Sequence, residues 1–466
     1  MTRSFWSRFA TTFACCVLLD CGVFAASPVE ESMSDDAVTA AVVESVELVP
    51  LDSIDPPGTA NWVSPRGDAG ATGATSVVLP DDLVVLWETK LPEAIESTPV
   101  SDGQRVFVSD VMGGVQALSL ADGSLVWRKE FDTGFVASPA LYLPASEVGD
   151  VGDGIASEVD GGNSSSESNS DVSAKASSSA DRSMLVVGDV EGNVYALDPA
   201  TGDSYWQQTT DGEINASATF FAVVPTSGSG DMSPPGKSRP SVRVLQTSQD
   251  GCLYCFDAGT GSLVWKYETG DQIRCAPSIG NGTTLLGGCD GGLHVVDLAT
   301  GKAIREPIPL EGPTGSTPAI ADGEVYLPIM DGVFYSFGLA KGEVRWQYED
   351  PDRAQEYRGS AAIAETRVVV ASRNKQVDAI DRATGKPIWR VTLRRRADAS
   401  PLIAGNDVWI ASTDGRLLRL SLEDGTERWS FEIRGGFFAS PAIVDGRLVI
   451  ADDEGVVRCF GQAEDE

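Results

Sequence analysis

The chain has 466 residues, 22% charged and 42% hydrophobic, a soluble composition that excludes a collagen, a coiled coil and a protein with many membrane spans. Lys and Arg number 35 against 68 Asp and Glu, and a net charge of −33 disfavours binding to nucleic-acid phosphates. The single histidine, His294, excludes metal sites that need two histidines and would have to serve in any Ser/His/Asp triad.

Residues 1–25 are predicted to be a secretory signal peptide. Two arginines precede an apolar run over 9–19, and small residues follow it, which is the order of a cleaved export signal. The run is too short to span a bilayer. Cys21 could carry a lipid, but Asp20 stands where a lipoprotein signal needs a small residue. We therefore expect a protein of the periplasm, the cell envelope or the medium, without a lipid anchor.

An acidic leader and a connecting segment follow over residues 26–82. Residues 26–58 contain eight acids and no base, which predicts disorder. At the other end of the chain, residues 462–466 form a short acidic tail. Neither end is expected to belong to the folded core.

A repeat of about 40 residues occupies most of the chain between these ends, a period typical of a four-stranded propeller blade. Each unit has a turn glycine and, four residues later, a tryptophan, which Arg305 replaces in the fourth unit. We predict that the tryptophans dock each blade against the next and that the contact at Arg305 is weaker. The tryptophans, with the N-terminal equivalent first, are Trp87, Trp127, Trp206, Trp265, Trp346, Trp389 and Trp429.

A second landmark, a Ser-Pro or similar pair, opens the first strand of each unit. There are eight such pairs, from Thr98-Pro99 to Ser440-Pro441, but the last unit ends before its fourth strand. The missing strand is present near the N-terminus, at residues 83–87. The sequence therefore predicts an all-β, eight-bladed β-propeller over residues 83–461, closed by the N-terminal strand.

We name the strands of a unit A to D in chain order. Asp-Gly turns between alternating apolar runs predict hairpins within each unit. Two low-complexity insertions, at 144–183 and 225–240, fall between strands A and B of the second and third blades. Their composition predicts flexible loops that project from the same face of the propeller.

The pattern A-x-D-x-x-T-G-x-x-x-W, as at 196–206 and 379–389, resembles the pyrroloquinoline quinone (PQQ)-like propeller repeat. Residues 61–68 resemble the W-x-x-x-R-G motif found before many such propellers. The resemblance covers 83–461 and implies the fold more strongly than an activity. The family includes PQQ-dependent dehydrogenases and the cofactor-free assembly factor BamB, and this chain is more similar to the latter.

The alternative function is that of a PQQ- and calcium-dependent oxidoreductase. The resemblance to quinoprotein alcohol dehydrogenases implies an adjacent cysteine pair over the cofactor, a tryptophan beneath it and a calcium site. The pair Cys15-Cys16 lies in the signal peptide, no adjacent pair follows it, and no C-x-x-C-H haem motif is present. We therefore expect no catalysis, no cofactor and no metal.

A ligand site is predicted at the mouth of the central channel, on the connections between strand D of one unit and strand A of the next. Polar residues two positions before the landmark pairs could hold a small anion or carboxylate, because arginine forks pair with carboxylates. The alternative is a polar mouth that water fills. The candidate residues are Glu96, Asn215, Arg274, Arg358 and Asp398.

These features together favour a non-catalytic scaffold that binds a protein partner in the cell envelope. We expect a monomer that does not bind nucleic acid, with peripheral membrane association left open. One candidate mode is pairing of a partner strand with an outer blade edge. The basic run 394–396 on one D–A connection either anchors an acidic partner segment or is solvated.

Overall fold

The computed structural model describes residues 46–50, 60–144, 182–225, 240–352 and 355–463, and these residues contain no helix. They form 34 strands in eight sheets. The predicted signal peptide, most of the acidic leader, the greater part of both insertions and the end of the acidic tail lie outside the described residues.

Each blade has four antiparallel strands, and strand A of one blade lies next to strand A of the following blade. Short N-terminal strands add a fifth strand to two of the eight sheets, antiparallel in one and parallel in the other. Three strands precede the first complete blade: β1 (Val46–Pro50), β2 (Ala74–Thr75) and β3 (Leu83–Lys90). Blades 1 and 2 contain β4 (Val100–Ser101), β5 (Arg105–Ser109), β6 (Gly114–Ser119), β7 (Leu125–Glu130), and β8 (Ala140–Tyr142), β9 (Met184–Gly188), β10 (Asn193–Leu197), β11 (Ser204–Thr209). Blades 3 and 4 contain β12 (Thr219–Pro225), β13 (Ser241–Ser248), β14 (Cys252–Asp257), β15 (Leu263–Glu268), and β16 (Ser278–Gly280), β17 (Thr283–Gly287), β18 (Gly292–Asp297), β19 (Ile308–Pro309).

The remaining four blades follow the same order along the chain. Blades 5 and 6 contain β20 (Ala319–Ala321), β21 (Glu324–Pro328), β22 (Phe334–Gly338), β23 (Val344–Tyr348), and β24 (Ala362–Ile363), β25 (Arg367–Ala371), β26 (Gln376–Asp381), β27 (Pro387–Thr392). Blades 7 and 8 contain β28 (Leu402–Ala404), β29 (Asp407–Ala411), β30 (Arg416–Ser421), β31 (Glu427–Glu432), and β32 (Ala442–Val444), β33 (Arg447–Ala451), β34 (Val456–Gln462).

The N-terminal strand β3 completes the eighth blade. It pairs antiparallel with β34, from Leu83 opposite Gln462 to Lys90 opposite Val456. The sheet order is β3-β34-β33-β32, so the strand missing from the last repeat comes from the other end of the chain. The predicted eight-bladed propeller and its mode of closure are confirmed.

The repeated tryptophans lie between neighbouring blades. Six of them donate from Nε1 to a backbone carbonyl of the next blade at 2.8–3.1 Å, which satisfies the one polar atom of a buried ring. Trp429 instead packs edge to face against Phe460 of blade 8, with ring centroids 5.7 Å apart. At the exceptional position, Arg305 donates to the carbonyl of Ala340 at 2.8 Å, so the guanidinium takes over the hydrogen bond to the next blade.

Residues 60–79, which we call the hub segment, run along the inner A strands. Backbone N–H groups on the A strands of blades 2, 4, 5, 6 and 7 donate to hub carbonyls, and Trp62 pairs with Ser101 of blade 1. Arg66 donates to the carbonyls of Ala361 and Pro401, and its burial lowers its pKa to about 10. The hub segment therefore ties six blades together at the side of the A–B turns.

The acidic leader includes an ordered strand that the sequence did not predict. Strand β1 pairs antiparallel with β12 of blade 3, with Val46 opposite Pro225 and Pro50 opposite Phe221. The prediction of disorder was therefore wrong for residues 46–50. The pairing covers the inner edge of β12, which has seven residues and is the longest strand A among the described residues.

Candidate functional site

The D–A connections and the B–C turns lie on the same face of the propeller, because successive strands alternate in direction. We call it the D–A face. In every blade, a backbone N–H of the B–C turn donates to a carbonyl of the preceding D–A connection at 2.8–3.1 Å, for example Thr413 to Arg396. All eight turns are held in this way, so the face has a fixed backbone.

The landmark pairs form an incomplete ring of hydroxyl contacts inside this face, present at six of the eight blade junctions among the described residues. The backbone N–H of one landmark donates to the hydroxyl of the next, as from Ser360 to Ser400 at 2.9 Å and from Ser400 to Ser440 at 3.0 Å. Ser440 in turn donates to Thr98, which joins blade 8 to blade 1. A small hydroxyl residue at this position therefore links adjacent blades.

The predicted mouth residues occupy D–A connections but do not form one cluster. Glu96 is exposed, and the side-chain oxygen of Asn215 is buried without a hydrogen-bond partner. Arg274 donates to Gln272 at 3.0 Å. Among the described residues, Arg274 and Arg358 share no hydrogen-bond or ion-pair partner.

Arg358 and Asp398 are brought together through two residues that lie between them. Glu356 accepts from Arg358 at 2.8 Å and from Arg373 at 3.2 Å. The hydrogen bond from Arg358 lowers the pKa of Glu356, and Arg373 lowers it further. Asp398 pairs with Arg373 at 3.1 Å and with Arg396 at 2.8 Å. These ion pairs fix the arginines at one part of the mouth.

A cavity of about 530 Å³ opens beside this network, between blades 6 and 7. Five of its seven lining side chains are cationic, and the other two are a hydroxyl and an aromatic ring. We call it the basic cavity, and its lining residues are Arg373, Lys375, Arg394, Arg395, Arg396, Thr413 and Phe438. The basic run noted in the sequence thus forms one wall of a larger cationic site.

Arg373 and Lys375, on the opposite wall, were not predicted. They lie on the B–C turn of blade 6, between β25 and β26. Lys375 has a φ of 70° at the turn position that the other seven blades give to glycine. Aligning the B–C turns would have revealed this difference. The glycines at that position are Gly113, Gly192, Gly251, Gly291, Gly332, Gly415 and Gly455.

Apart from Arg274, the D–A face is acidic around blades 1 to 5. Their turns and connections carry carboxylates, several of them bound to backbone N–H groups, as Asp290 is to Gly270 at 3.1 Å. These carboxylates belong to Asp132, Glu191, Asp211, Glu213, Asp250, Asp271, Asp290, Glu311 and Asp331. The face is therefore divided into an acidic sector and the basic cavity.

The described residues contain no group of three or more His, Cys, Asp or Glu side chains that could hold a metal ion. His294 is 3% exposed and makes hydrogen bonds to Asp290 and Tyr267, both at 2.9 Å. It is thus part of the interior of blade 4. In the part of the chain that the structure describes, no helix is long and apolar enough to cross a membrane.

Known proteins share both the sequence pattern and the fold. The outer membrane protein assembly factor BamB of Burkholderia pseudomallei is 26% identical over 384 residues, which cover 78% of this chain and 83% of that protein. The crystal structure of BamB from Moraxella catarrhalis superimposes with a TM-score of 0.60 at 18% identity, over 83% of this chain and 99% of the other.

Quinoprotein structures have the same fold. The quinohemoprotein alcohol dehydrogenase of Comamonas testosteroni superimposes with a TM-score of 0.65 at 15% identity, over 90% of this chain and 83% of the other. At that identity the likeness shows the fold alone. The family model described as outer membrane protein assembly factor BamB matches residues 71–149, 149–304, 249–371 and 358–460. The chain therefore belongs to this family of PQQ-like repeat propellers.

Proposed function

We propose that this protein is an exported, non-catalytic scaffold that assists the assembly of outer-membrane proteins by holding a protein partner against its D–A face. The observation that carries the proposal is the fixed, charge-divided D–A face. All eight B–C turns are hydrogen-bonded to connections, so docking requires little ordering of the loops. The acidic sector and the basic cavity would orient a partner of complementary charge.

Family membership supports the cellular role. The relatives reported above are named as outer membrane assembly factors, and the predicted signal peptide would deliver this chain to the same compartment. We propose a periplasmic or envelope location for a monomer whose membrane association, if any, is peripheral. Its net charge of −33 favours proteins over nucleic acids as partners.

We further propose that the protein works without a cofactor. The hub segment occupies the A–B side of the ring, and at the mouth Asp398 is already paired with two arginines. The described residues therefore fit PQQ and calcium poorly, because calcium needs several free oxygen ligands. Calorimetric titration of the mature protein with PQQ and calcium is expected to give no heat of binding, and saturable binding with alcohol-dependent dye reduction would establish the oxidoreductase alternative.

The assembly role is tested by deleting the gene and measuring the amounts of outer-membrane β-barrel proteins in isolated envelopes. We expect the deletion to lower them and the intact gene to restore them. A variant with Glu191→Lys and Glu311→Lys, two exposed acids on the D–A face, should restore them less well. The matched control is Glu423→Lys, an exposed acid of a C–D turn on the opposite face. Unchanged barrel levels in the deletion strain would refute the assembly role.

A further inference from the structure

The basic cavity concentrates positive charge on a strongly acidic molecule. Arg373 and Arg396 are held in place by Asp398, so their guanidinium groups are already oriented at the wall of the cavity. Lys375 and Arg395 are exposed and have no ion-pair partner among the described residues. Arg394, the fifth cation of the lining, is paired with Glu432 at 3.1 Å. The cavity thus combines three paired cations with two that are available to a ligand.

Lys375 occupies its position at a conformational cost. Its φ of 70° lies in the left-handed region that a side chain disfavours, and the other seven blades place glycine there. Its N–H still donates to Ser372, as that of Gly415 donates to Ser412 in blade 7, so the turn itself does not require a lysine. A strained residue that brings charge into a cavity indicates a binding role.

The charges around the basic cavity favour a single extended peptide over a wide anionic surface as its ligand. The acidic sector on blades 1 to 5 would repel an extended anionic surface such as a membrane that faced the whole D–A face. A single extended peptide can place carboxylates in the cavity and avoid that sector. Thr413 and Phe438 also offer it a hydroxyl and an aromatic ring. A volume of about 530 Å³ is within the range of sites that enclose small ligands.

We infer that the basic cavity binds an acidic segment of a protein partner, whose carboxylates pair with Lys375 and Arg395 and reach the oriented guanidinium groups of Arg373 and Arg396. This inference rests on the proposed function for the presence of a partner on the D–A face, and it adds the chemistry by which one is recognised.

The binding step is measured directly with a fluorescein-labelled oligoglutamate peptide and the mature protein, by fluorescence anisotropy. An oligoglutamine peptide of the same length is the control ligand. We expect saturable binding of oligoglutamate only, with an affinity that falls as salt is added, because the pairs are accessible to solvent.

The decisive variant is the double substitution Lys375→Gly and Arg395→Ala. It should weaken oligoglutamate binding about tenfold, since two solvent-accessible charge pairs are lost. Its melting temperature should not fall, because glycine relieves the strained turn and neither side chain has an ion-pair partner to lose. The matched control is Arg434→Ala, which removes an exposed arginine from the next D–A connection, at the position equivalent to Arg394 and outside the cavity.

Three results would overturn the inference. The first is that the wild type and the double variant bind oligoglutamate equally well, and the second is that Arg434→Ala loses as much oligoglutamate affinity as the double variant. The third is that the wild type binds phosphatidylglycerol vesicles and not the peptide, and that the double variant no longer binds the vesicles. The last result would assign the cavity to lipid headgroups. The two proposals fail separately. Peptide binding at the cavity with unchanged barrel levels in the deletion strain would refute only the assembly role, and lowered barrel levels without peptide binding would refute only the cavity.

Discussion

In six C–D turns, the turn glycine has two separate reasons to be glycine. Gly385 has a φ of 70°, and an added Cβ would lie 2.7 Å from the ring of Trp346 on the preceding blade. The glycines paired with five other tryptophans show the same close approach. Turn geometry and blade docking thus depend on the same residue, because the glycine of one unit contacts the tryptophan of the unit before it.

Gly385→Ala should therefore destabilise the protein more than a glycine substitution that only strains the backbone. Gly323 is the matched control, because its φ is 76° and nothing lies within 4 Å of its added Cβ. We expect Gly323→Ala to cost about 1 kcal/mol of unfolding free energy from strain. Gly385→Ala should cost about 1–3 kcal/mol more, because the Cβ overpacks the tryptophan. Urea titrations measure both values, and equal losses would contradict the docking role.

Arg305 shows the limit of prediction at this scale. Its departure from tryptophan predicted a weaker contact, but its guanidinium donates to the same part of blade 5 that a tryptophan would reach. The outer strand of blade 4 is nonetheless only two residues long. The long polar side chain thus preserves the hydrogen bond between blades beside a short strand D.

At the scale of elements, the landmark hydroxyls connect strands that share no sheet. Each accepts a hydrogen bond from the backbone of the preceding blade, at six of the eight junctions among the described residues. The sequence identified the landmarks as strand openings but gave them no partner. Their role could not be predicted from one unit, because the donor lies about 40 residues away in the neighbouring unit.

Ser400→Ala is expected to lower the unfolding free energy by about 1–2 kcal/mol, because it leaves the N–H of Ser360 unpaired. Ser217→Ala provides the control, since this landmark hydroxyl has no hydrogen-bond partner among the described residues. It should change stability by less than about 0.5 kcal/mol. Thermal and urea unfolding distinguish the two variants, and a loss at Ser217 as large as that at Ser400 would contradict the role of the ring.

At the scale of the whole molecule, β3 closes the ring of blades by completing blade 8. Its pairing with β34 covers an edge that would otherwise expose unpaired backbone groups. A chain starting at residue 91 should therefore associate through that edge and melt at a lower temperature than one starting at residue 83. The two differ only by β3, and a chain starting at residue 60 gives the reference with the hub segment. Size-exclusion chromatography with light scattering measures the association, and thermal unfolding measures the melting temperature. If the chain starting at residue 91 is monomeric and as stable as the chain starting at residue 83, closure by β3 is contradicted.

The sequence predicted the propeller because its repeat, turn glycines and incomplete last unit are local patterns that can be identified in a single sequence. It did not predict the course of the hub segment or β1, because their partners are backbone groups and strands far away in the chain. The basic cavity was half predicted. Residues 394–396 stand out as a run, whereas Arg373 and Lys375 join them only when blades 6 and 7 pack side by side.

The hub segment also constrains the order in which the protein can be completed. Its residues are made early, but Arg66 binds the carbonyl of Pro401, 335 positions later, and β3 pairs with β34, the last strand. Contacts of such high sequence separation slow folding. In a growing chain, the hub segment and β3 therefore lack these final partners until nearly all blades have been made, although Trp62 and Val63 can already pair with blades 1 and 2. Premature termination in any blade leaves that segment without its final partners, so the ring itself distinguishes a complete chain from an incomplete one.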